Sequence, residues 1–573
     1  MALRPPQSQP GGAPAALEPT PTPSRWDRVL LAGLLVWTFL GLVFPLFDTD
    51  FWWHLKTGEL ILARGTIPQV DWYTFTEVET PWIDLHWGFQ ILITGVYRAG
   101  GVNLVILFKA AVMTAAVAIG WQATGRSLPG WVKVLLWLPA AICITGRGYE
   151  RPEMLSLLFL AVWLLVAFQV ELRPRLIWLL PGVQLVWTNC HALFVLGLVI
   201  GACYVVDLLL REWAQGRWGL ERPAEHPSPR AIILTGALVF LACFANPYFE
   251  EGALFPLTLF RKFSVDQEFY SRNIGDFEQP IQFIRRAGIW NIYLLSQSLL
   301  WLLTCGSFLW RYVACRRWSA LRIGLFAAFS FLAWKATRNT NIFALVSAVV
   351  LCANVADALG SRAAGRWPLR RQARASLGVA TGLVGLIVLV VTGVWNRWGD
   401  GNKPFGLGEA EHWFIHDAAK FAGQAGFPRR AFVAHIGQAA VYTYHNGPER
   451  LVFMDPRLEV CSRGTFESFL EILKRMAMGD LGWQEPFNQS ESGLPVVILD
   501  SRMSRGAING MLNNPGWRLV FADPSAAVFL DHLTAQKFDL PAVDPTPLMY
   551  PPGMIPHRFD GSELRPSDSR GVP

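Results

Sequence analysis

Residues 48–54, with the sequence DTDFWWH, place two carboxylates and an imidazole directly after a hydrophobic run, 29–47, that is about one membrane thickness long. At a membrane–water boundary such side chains can act as a general base, a metal ligand or a substrate clamp. Asp48, Asp50 and His54 are therefore the candidate catalytic residues of this stretch. In the alternative interpretation, Asp50 only favours the start of a following helix, by about a few tenths of a kcal/mol through the helix dipole. The spacing alone leaves both interpretations open.

The composition excludes most classes of soluble protein. Of the 573 residues, 52% are hydrophobic and only 16% are charged, whereas an ordinary soluble domain has about 25% charged residues. The net charge of +7 does not indicate a nucleic-acid partner, because the basic residues occur in short runs between apolar stretches rather than on one face of a soluble fold. The composition therefore predicts a membrane protein that binds lipids and no nucleic acid.

The elements that hold these side chains follow from the apolar pattern, which runs almost unbroken from 29 to 395. The most basic connection, 361–375, belongs in the cytoplasm under the positive-inside rule. This orientation predicts about eleven transmembrane helices, with the short apolar segment 87–99 at the interface. It also places the loops 48–86 and 246–288 on the outer side. We expect a polytopic protein of the inner (plasma) membrane with a cytoplasmic N-terminus.

Composition divides the chain into four parts. We predict a disordered cytoplasmic tail over 1–24, a polytopic membrane domain over 25–396, a small outer-side α/β domain over 397–535 and a disordered proline-rich tail over 536–573. In the α/β domain, helices are predicted over 409–425 and 465–478, and strands over 431–434, 451–454, 495–499, 519–522 and 526–530. His435 and residues 455–459 stand at strand ends, where ligand contacts of α/β folds collect, although polar residues there are more often turn formers.

The outer loop 48–86 contains a further predicted element. Apolar residues at near-helical spacing after Asp50, closed by Gly65 and Pro68, indicate a short helix on the membrane surface. An acidic outer loop, a short helix, a long polytopic domain and an outer α/β domain together resemble the C-type (GT-C) glycosyltransferases. The similarity is to bacterial relatives of protein O-mannosyltransferases and of lipid A aminoarabinose transferases.

The matching stretch is 50–68, and the architecture matches over about 28–395. The resemblance implies a polyprenyl-phosphate sugar donor and gives the required acidic residue of the first outer loop to Asp50. The family commonly has an Asp-Glu pair, whereas Phe51 stands where Glu is usual. Either Asp48 substitutes for that Glu, or the chain is a diverged or inactive member.

Transfer from a phosphate-linked sugar also requires cations for the leaving phosphate. Arg147 and Arg151 in GRGYERPE, and Arg338 in KATRN, are the candidates on the outer face, because the arginine fork matches phosphate oxygens; the alternative is that they snorkel at helix ends. His191 and Asn189 in WTNCH are candidate substrate contacts, unless Asn189 only completes a turn between helices.

The predicted activity is inverting sugar transfer from a lipid-linked donor to a glycan, lipid or protein acceptor on the outer side. No Cys/His cluster with metal spacing occurs and no metal ligands are assigned, although Asp48 and Asp50 could share a divalent metal ion. The loop 246–288 could cover the active site as a lid or only bridge helices. Two other functions remain open: a transporter or flippase of a lipid-linked saccharide, with Lys109 and Lys335 as intramembrane charges, and a non-catalytic membrane assembly protein.

Overall fold

A computed structural model describes residues 24–125, 128–214, 227–287, 291–360, 368–399, 403–488 and 493–548. It is mostly helical, with one small sheet near the C-terminus. The predicted N-terminal tail lies outside the described residues apart from Ser24, as does the last part of the predicted C-terminal tail, 549–573. Residues 536–548 differ from the prediction, because the backbone N–H of Val543 donates to the carbonyl of Leu519 at 3.0 Å and joins this segment to the sheet.

The helices before the sheet region are α1 (Arg25–Gly41), α2 (Asp50–Arg64), α3 (Trp87–Ala123), α4 (Gly130–Gly146), α5 (Glu153–Gln169), α6 (Leu180–Thr188), α7 (Val195–Ala214), α8 (Pro229–Phe244), α9 (Phe249–Val265), α10 (Gln267–Asn273), α11 (Pro280–Ala287), α12 (Ile292–Cys315), α13 (Ala320–Lys335), α14 (Thr340–Leu359), α15 (Leu369–Val391) and α16 (Val394–Gly399). The later elements are α17 (His416–Ala422), β1 (Arg430–Val433), α18 (Ile436–Asn446), β2 (Leu451–Val452), α19 (Arg463–Ala477), α20 (Glu485–Asn488), β3 (Val496–Asp500), α21 (Arg505–Leu512), β4 (Trp517–Ala522), β5 (Ala526–Asp531) and α22 (His532–Lys537).

Within the described ranges, five helical segments are long and apolar enough to cross a membrane, and α8 and α9 make a sixth if they form one broken span. The five segments are Trp87–Ala123, Ala192–Ala214, Ile292–Cys315, Thr337–Leu359 and Arg370–Val391. Helices α8 and α9 meet at 90°, while α4 and α5 are apolar but shorter. The described residues thus include helices that are suited to span a membrane, and the count of eleven transmembrane helices stays a prediction.

Three glycines set the boundaries of helical elements in and after the 48–86 loop. Helix α3 breaks at Gly100 and Gly101, and Gly101 has a φ of +63°, a left-handed conformation that favours glycine. The break separates the predicted segment 87–99 from the rest of α3. Helix α2 ends at Gly65, whose φ is +68° and whose N–H donates to the carbonyl of Ile61. The predicted end of this short helix is thus confirmed.

Helix α2 is not an open surface helix, which corrects the sequence-based expectation. Phe51, Trp52, Trp53 and Leu55 are buried. The ring of Trp52 packs against aromatic side chains of the C-terminal region, namely Phe414, His416 and Tyr444. The aromatic residues that suggested a membrane interface therefore form a contact between the first outer loop and the C-terminal region.

The sheet has the strand order β2-β1-β3-β5-β4. Strands β2, β1 and β3 are parallel, and β5 runs antiparallel to both β3 and β4. All five predicted strands have a counterpart, and the helix predicted over 465–478 corresponds to α19. The helix predicted over 409–425 is shorter in the structure, because Ala410 pairs with the backbone of Leu46. Helix α18 was not predicted from the sequence, because it is buried along most of its length and so lacks a clear polar face.

The first outer loop is joined to the edge of this sheet. Val452 in β2 donates its N–H to the carbonyl of Tyr73 at 2.8 Å, and Phe75 donates to the carbonyl of Val452 at 3.0 Å. Beside this contact, Arg457 Nη2 lies 2.6 Å from Asp71 Oδ1 of the loop and 2.6 Å from Asp455 Oδ2. All three charged side chains are fully buried. The C-terminal region is therefore docked on the loop through a buried ion cluster.

The substitution Arg457→Met should strongly lower the melting temperature of the purified protein. It leaves two carboxylates buried without their cation, and breaking such a cluster costs about 3–5 kcal/mol. Arg463→Met is the matched control, because the side chain of Arg463 is half exposed where it pairs with Asp266 and Glu467. Thermal unfolding of both variants in detergent makes the comparison. Equal melting temperatures for the two variants would show that the buried cluster does not hold the C-terminal region in place.

Candidate functional site

A cavity of about 740 Å³ lies between the first outer loop, the connection from α4 to α5, the 246–288 segment and the C-terminal region. It brings together nearly all of the site residues predicted from the sequence. Those that line it are Asp48, Asp50, His54, Arg147, Arg151, His191 and Arg338.

Asn189 is the predicted site residue that lies outside this lining. Its side-chain amide donates to the carbonyls of Leu185 and Ala245, at 2.9 and 2.8 Å. Its oxygen accepts from Nε1 of Trp87 at 3.0 Å. Asn189 therefore completes the turn after α6, as in the structural alternative, and its hydrogen-bonding groups are used within the protein.

An acid–arginine cluster forms one wall of the cavity. Arg151 donates from Nε to Asp48 Oδ2 at 2.6 Å and from Nη2 to Asp48 Oδ1 at 2.8 Å, in a fork-to-carboxylate geometry. Its Nη1 lies 3.2 Å from Asp50 Oδ2 and 3.2 Å from Asp276 Oδ2. Arg147 Nη1 lies 2.9 Å from Asp276 Oδ1. Two guanidinium groups thus face three carboxylates, two from the turn into α2 and one from the segment between α10 and α11.

Local structure distinguishes the two acids that the sequence pairs. Asp48 Oδ1 accepts the backbone N–H of Asp50 at 3.1 Å, which fixes the turn into α2. The Asp48 side chain is 1% exposed and both of its oxygens contact Arg151. The Asp50 side chain is 20% exposed. Asp50 is therefore the carboxylate of this pair that a substrate in the cavity can reach.

The connection that carries both arginines is anchored by a second ion pair. Glu150 Oε1 lies 2.7 Å from Nζ of Lys109 in α3, and both side chains are fully buried. The Lys109 ammonium also lies 3.6 Å from the ring centre of Phe44. Lys109, which the transporter hypothesis used as an intramembrane charge, is thus neutralised by a structural partner that holds residues 147–151 in place.

The acid–arginine cluster gives its acids different proton affinities. Burial raises the pKa of Asp50 to about 7; Arg151 opposes this rise, and the nearby Asp48 and Asp276 add to it. Burial also acts to raise the pKa of Asp276, but Arg147 and Arg151 outweigh it and hold that pKa well below its ordinary value. Asp50 is therefore the carboxylate that can take up and release a proton near neutral pH, which a general base requires.

A different pair of cations lies at the end of α13. The guanidinium of Arg338 stacks 5.0 Å from the ring centre of Phe277, and within the described residues no carboxylate lies at salt-bridge distance from it. Lys335 Nζ donates to Ser264 Oγ at 2.6 Å. Both side chains line the cavity. They are suited to an anionic group of a ligand, because their charges are not already paired with an acid.

An apolar wall adjoins these two cations. Leu196 and Val199 of α7, Leu257 and Phe260 of α9, and Leu332 of α13 line this part of the cavity. Leu257 and Phe260 are 60% and 50% exposed in the isolated chain. A ligand with an anionic head and a hydrocarbon tail can therefore satisfy both surfaces at once.

Some lining residues were missed by sequence reasoning. Asp276, His86, Tyr149 and Lys403 line the cavity and were not among the residues predicted from the sequence. Of the strand-end candidates, His435 and Glu459 do reach the cavity. Asp455 and Arg457 instead form the buried ion cluster with Asp71. Local spacing contained no signal for these differences, because the partners come from distant segments.

The residues present do not fit a divalent metal ion between Asp48 and Asp50. The guanidinium of Arg151 occupies the position between the two carboxylates and contacts both. Within the described ranges, no group of three or more His, Cys, Asp and Glu side chains is arranged to hold a metal ion. The acids of this cluster are thus bridged by a protein cation.

Comparisons with known proteins identify the fold. No protein-family model and no curated protein matches the chain. Among solved structures it is similar to the oligosaccharyltransferase of Archaeoglobus fulgidus with a tethered acceptor peptide, at 12% identity and a TM-score of 0.52 over 90% of this chain and 74% of that one. The same archaeal enzyme, AglB, in complex with an inhibitory peptide and a dolichol-phosphate gives 11% identity and a TM-score of 0.52, over 90% and 75% of the two chains.

ArnT from Cupriavidus metallidurans bound to undecaprenyl phosphate is also similar, at 14% identity and a TM-score of 0.44 over 88% of this chain and 97% of that one. At such low identities the comparison concerns the fold alone. The archaeal oligosaccharyltransferase is a GT-C glycosyltransferase. The resemblance predicted from the sequence is therefore confirmed at the level of architecture: this chain has the GT-C fold.

Proposed function

We propose that this chain is an integral-membrane glycosyltransferase that moves a sugar from a polyprenyl-phosphate donor to an acceptor hydroxyl on the outer side of the membrane. The observation that carries the proposal is the single cavity in which Asp50, the cations Arg338 and Lys335, and an apolar wall meet. A base, an anion site and a surface for a hydrocarbon tail are the three features that such a reaction needs. The dolichol-phosphate complex of the archaeal enzyme supports the donor class.

In the proposed step, Asp50 takes the proton of the acceptor hydroxyl as that oxygen attacks the anomeric carbon of the donor. The new carbon–oxygen bond forms while the bond from the anomeric carbon to the phosphate oxygen breaks. The polyprenyl phosphate leaves with the electron pair of that bond, and Arg338 and Lys335 stabilise its negative charge. Attack from the side opposite the leaving group inverts the anomeric configuration.

Arg147 and Arg151 take a different role from the phosphate contact predicted from the sequence. Each is already paired with carboxylates, so we assign them to positioning Asp50 and Asp276. Asp48 acts in the same way, because it holds Arg151 through both of its oxygens. Asp48 therefore supports the base without contacting the acceptor.

Asp50→Asn should lower transfer by about 10²–10⁴-fold, because an amide keeps the shape of the side chain but cannot accept the proton. Glu59→Gln is the matched control on the same helix, outside the lining of the cavity. Purified protein in lipid nanodiscs, supplied with undecaprenyl-phosphate-linked radiolabelled sugars, provides the assay. Wild-type transfer by the Asp50 variant would contradict the assignment. Movement of uncleaved donor across vesicles by the wild type, without transfer, would favour the flippase alternative.

The transfer rate should rise with pH and level off above about pH 7, because only the ionised form of Asp50 acts as a base and its pKa is raised to about 7. Below that pKa the ionised fraction, and with it the rate, falls about tenfold per pH unit. Initial rates between pH 5.5 and 8.5, with thermal stability measured at each pH, provide the test. A flat profile over this range would exclude Asp50 as the titrating base.

We further propose that no metal ion takes part, because Arg151 already bridges the two acids that would hold one. Treatment of the purified protein with EDTA should leave at least about nine-tenths of the transfer activity, since no step of the proposed reaction depends on a bound cation. The transfer rate is measured before chelation, after chelation and after addition of Mg²⁺ or Mn²⁺. Loss of activity that either ion restores would overturn the metal-free proposal.

A further inference from the structure

A row of three imidazoles in the cavity is not used by the proposed chemistry. His54 on α2, His86 just before α3 and His191 after α6 all line the cavity. The ring centres of His54 and His86 are 5.4 Å apart, and those of His86 and His191 are 5.5 Å apart. Three polar rings from separate segments thus follow one another along one side of the cavity.

The row is built into the protein rather than formed by loose side chains. His54 is 3% exposed, and its ring lies 3.6 Å from that of Trp53, centre to centre. His86 Nδ1 lies 3.3 Å from Asp84 Oδ1. His191 Nδ1 lies 2.7 Å from the hydroxyl of Ser156, and that hydroxyl accepts from Nε1 of Trp187 at 2.8 Å. Each ring is therefore held in a fixed orientation by its own partner.

Polar atoms at this site lack partners within the protein. Nδ1 of His54 and Oε1 of Glu459 are buried and have no hydrogen-bond partner among the described residues. Glu459 lines the same cavity. Leaving such groups unsatisfied is unfavourable. Buried polar atoms without partners that border a cavity indicate that a polar ligand completes them.

The charge at this site argues against an anionic ligand. Burial lowers the pKa values of His54 and His191 well below the ordinary histidine value, so both rings are neutral at pH 7. The nearby acids Asp84 and Glu459 would repel a phosphate. Burial acts to lower the pKa of His86, but the hydrogen bond and the charge of Asp84 outweigh it and raise that pKa, so His86 acts as a hydrogen-bond donor paired with an acid. The two neutral imidazoles, His54 and His191, each offer one hydrogen-bond donor and one acceptor, and hydroxyl groups likewise offer both.

We propose that His54, His86, His191 and Glu459 form a subsite for an uncharged, hydroxyl-rich sugar ring. The inference rests on the proposed function and deepens it. In this arrangement the subsite binds the sugar, and Arg338 and Lys335 bind the phosphate. The ring could belong to the donor lipid or to a sugar acceptor, because the same hydroxyl chemistry serves both. His54 is the most direct probe, since its Nδ1 has no partner within the described part of the chain.

The test measures binding to the full-length protein in nanodiscs, independently of turnover. In the donor arm, the affinity for bare undecaprenyl phosphate is compared with that for undecaprenyl phosphate carrying glucose, mannose, galactose, N-acetylglucosamine or arabinose. In the acceptor arm, the methyl glycosides of the same sugars are added to protein already loaded with bare undecaprenyl phosphate. Higher affinity for a sugar-bearing lipid than for bare undecaprenyl phosphate in the first arm identifies a donor sugar. Binding of a methyl glycoside in the second arm identifies a sugar acceptor.

In wild type, at least one sugar should bind in one of the arms, and His54→Phe should weaken that binding about fivefold to tenfold through loss of a hydrogen bond. His54→Gln, which keeps a hydrogen-bonding group, should recover part of the loss. His532→Phe is the matched control, because His532 is exposed on α22 and does not line the cavity. Melting temperatures of the three variants show whether each one is folded.

The subsite is disproved if no sugar of the panel binds the wild type in either arm. It is also disproved if His54→Phe binds the sugar with the same affinity as the wild type. Failure of the proposed function gives a different result. In that case bare undecaprenyl phosphate itself does not bind the wild type. Binding of the methyl glycosides, measured without lipid in the wild type and in His54→Phe, still tests whether the imidazoles bind a sugar.

Discussion

The guanidinium of Arg151 is the interaction on which the site depends. It contacts Asp48 and Asp50 of the first outer loop and Asp276 of the segment between α10 and α11. Arg151 lies 103 residues from Asp48 and 125 from Asp276 in sequence, so a single side chain joins three distant parts of the chain. Its own position depends on the buried Lys109–Glu150 pair, which anchors the connection between α4 and α5.

The C-terminal region closes the same site from the other side. Arg457 ties it to Asp71 of the first outer loop, and Trp52 packs into its aromatic side chains. Two backbone carbonyls of that region, those of Leu458 and Cys461, also accept from Nζ of Lys262 in α9 at 2.6 and 3.0 Å. Because Glu459 lies between these two anchored carbonyls, its position at the cavity is set by the contacts of the C-terminal region with α9 and with the 48–86 loop. The connections after β1 and β2, which carry His435 and Glu459, are thus part of the cavity wall.

Local sequence patterns predicted the parts of this arrangement that local physics determines. Asp50 follows a membrane-length apolar run, α2 stops at a glycine with positive φ, and each buried strand is a short apolar run between turn residues. The failures at the candidate site share one cause: the partner of a polar side chain cannot be read from its neighbours in sequence. Asn189 looked like a ligand contact because nothing nearby in sequence showed that Trp87 and Ala245 would satisfy its amide. Asp276 and His86 carried no local signal, since each contacts a cavity residue more than a hundred positions away, Arg151 and His191 respectively.

The imbalance of charge at the acid–arginine cluster explains why Asp50, and neither of the other two acids, suits the proposed role of base. Asp48, Asp50 and Asp276 share two guanidinium groups, and Arg147 also has Glu153 at 3.7 Å. Asp48 has both oxygens bonded to Arg151, and Asp276 contacts both arginines. Asp50 keeps one contact of 3.2 Å and remains partly exposed. The uncompensated negative charge therefore falls on Asp50, since removing a charged group from water without full pairing favours its protonated form. Burial is the largest cause of the raised pKa of Asp50, and the two better-paired acids add to it, which gives Asp50 the proton affinity that its proposed role requires.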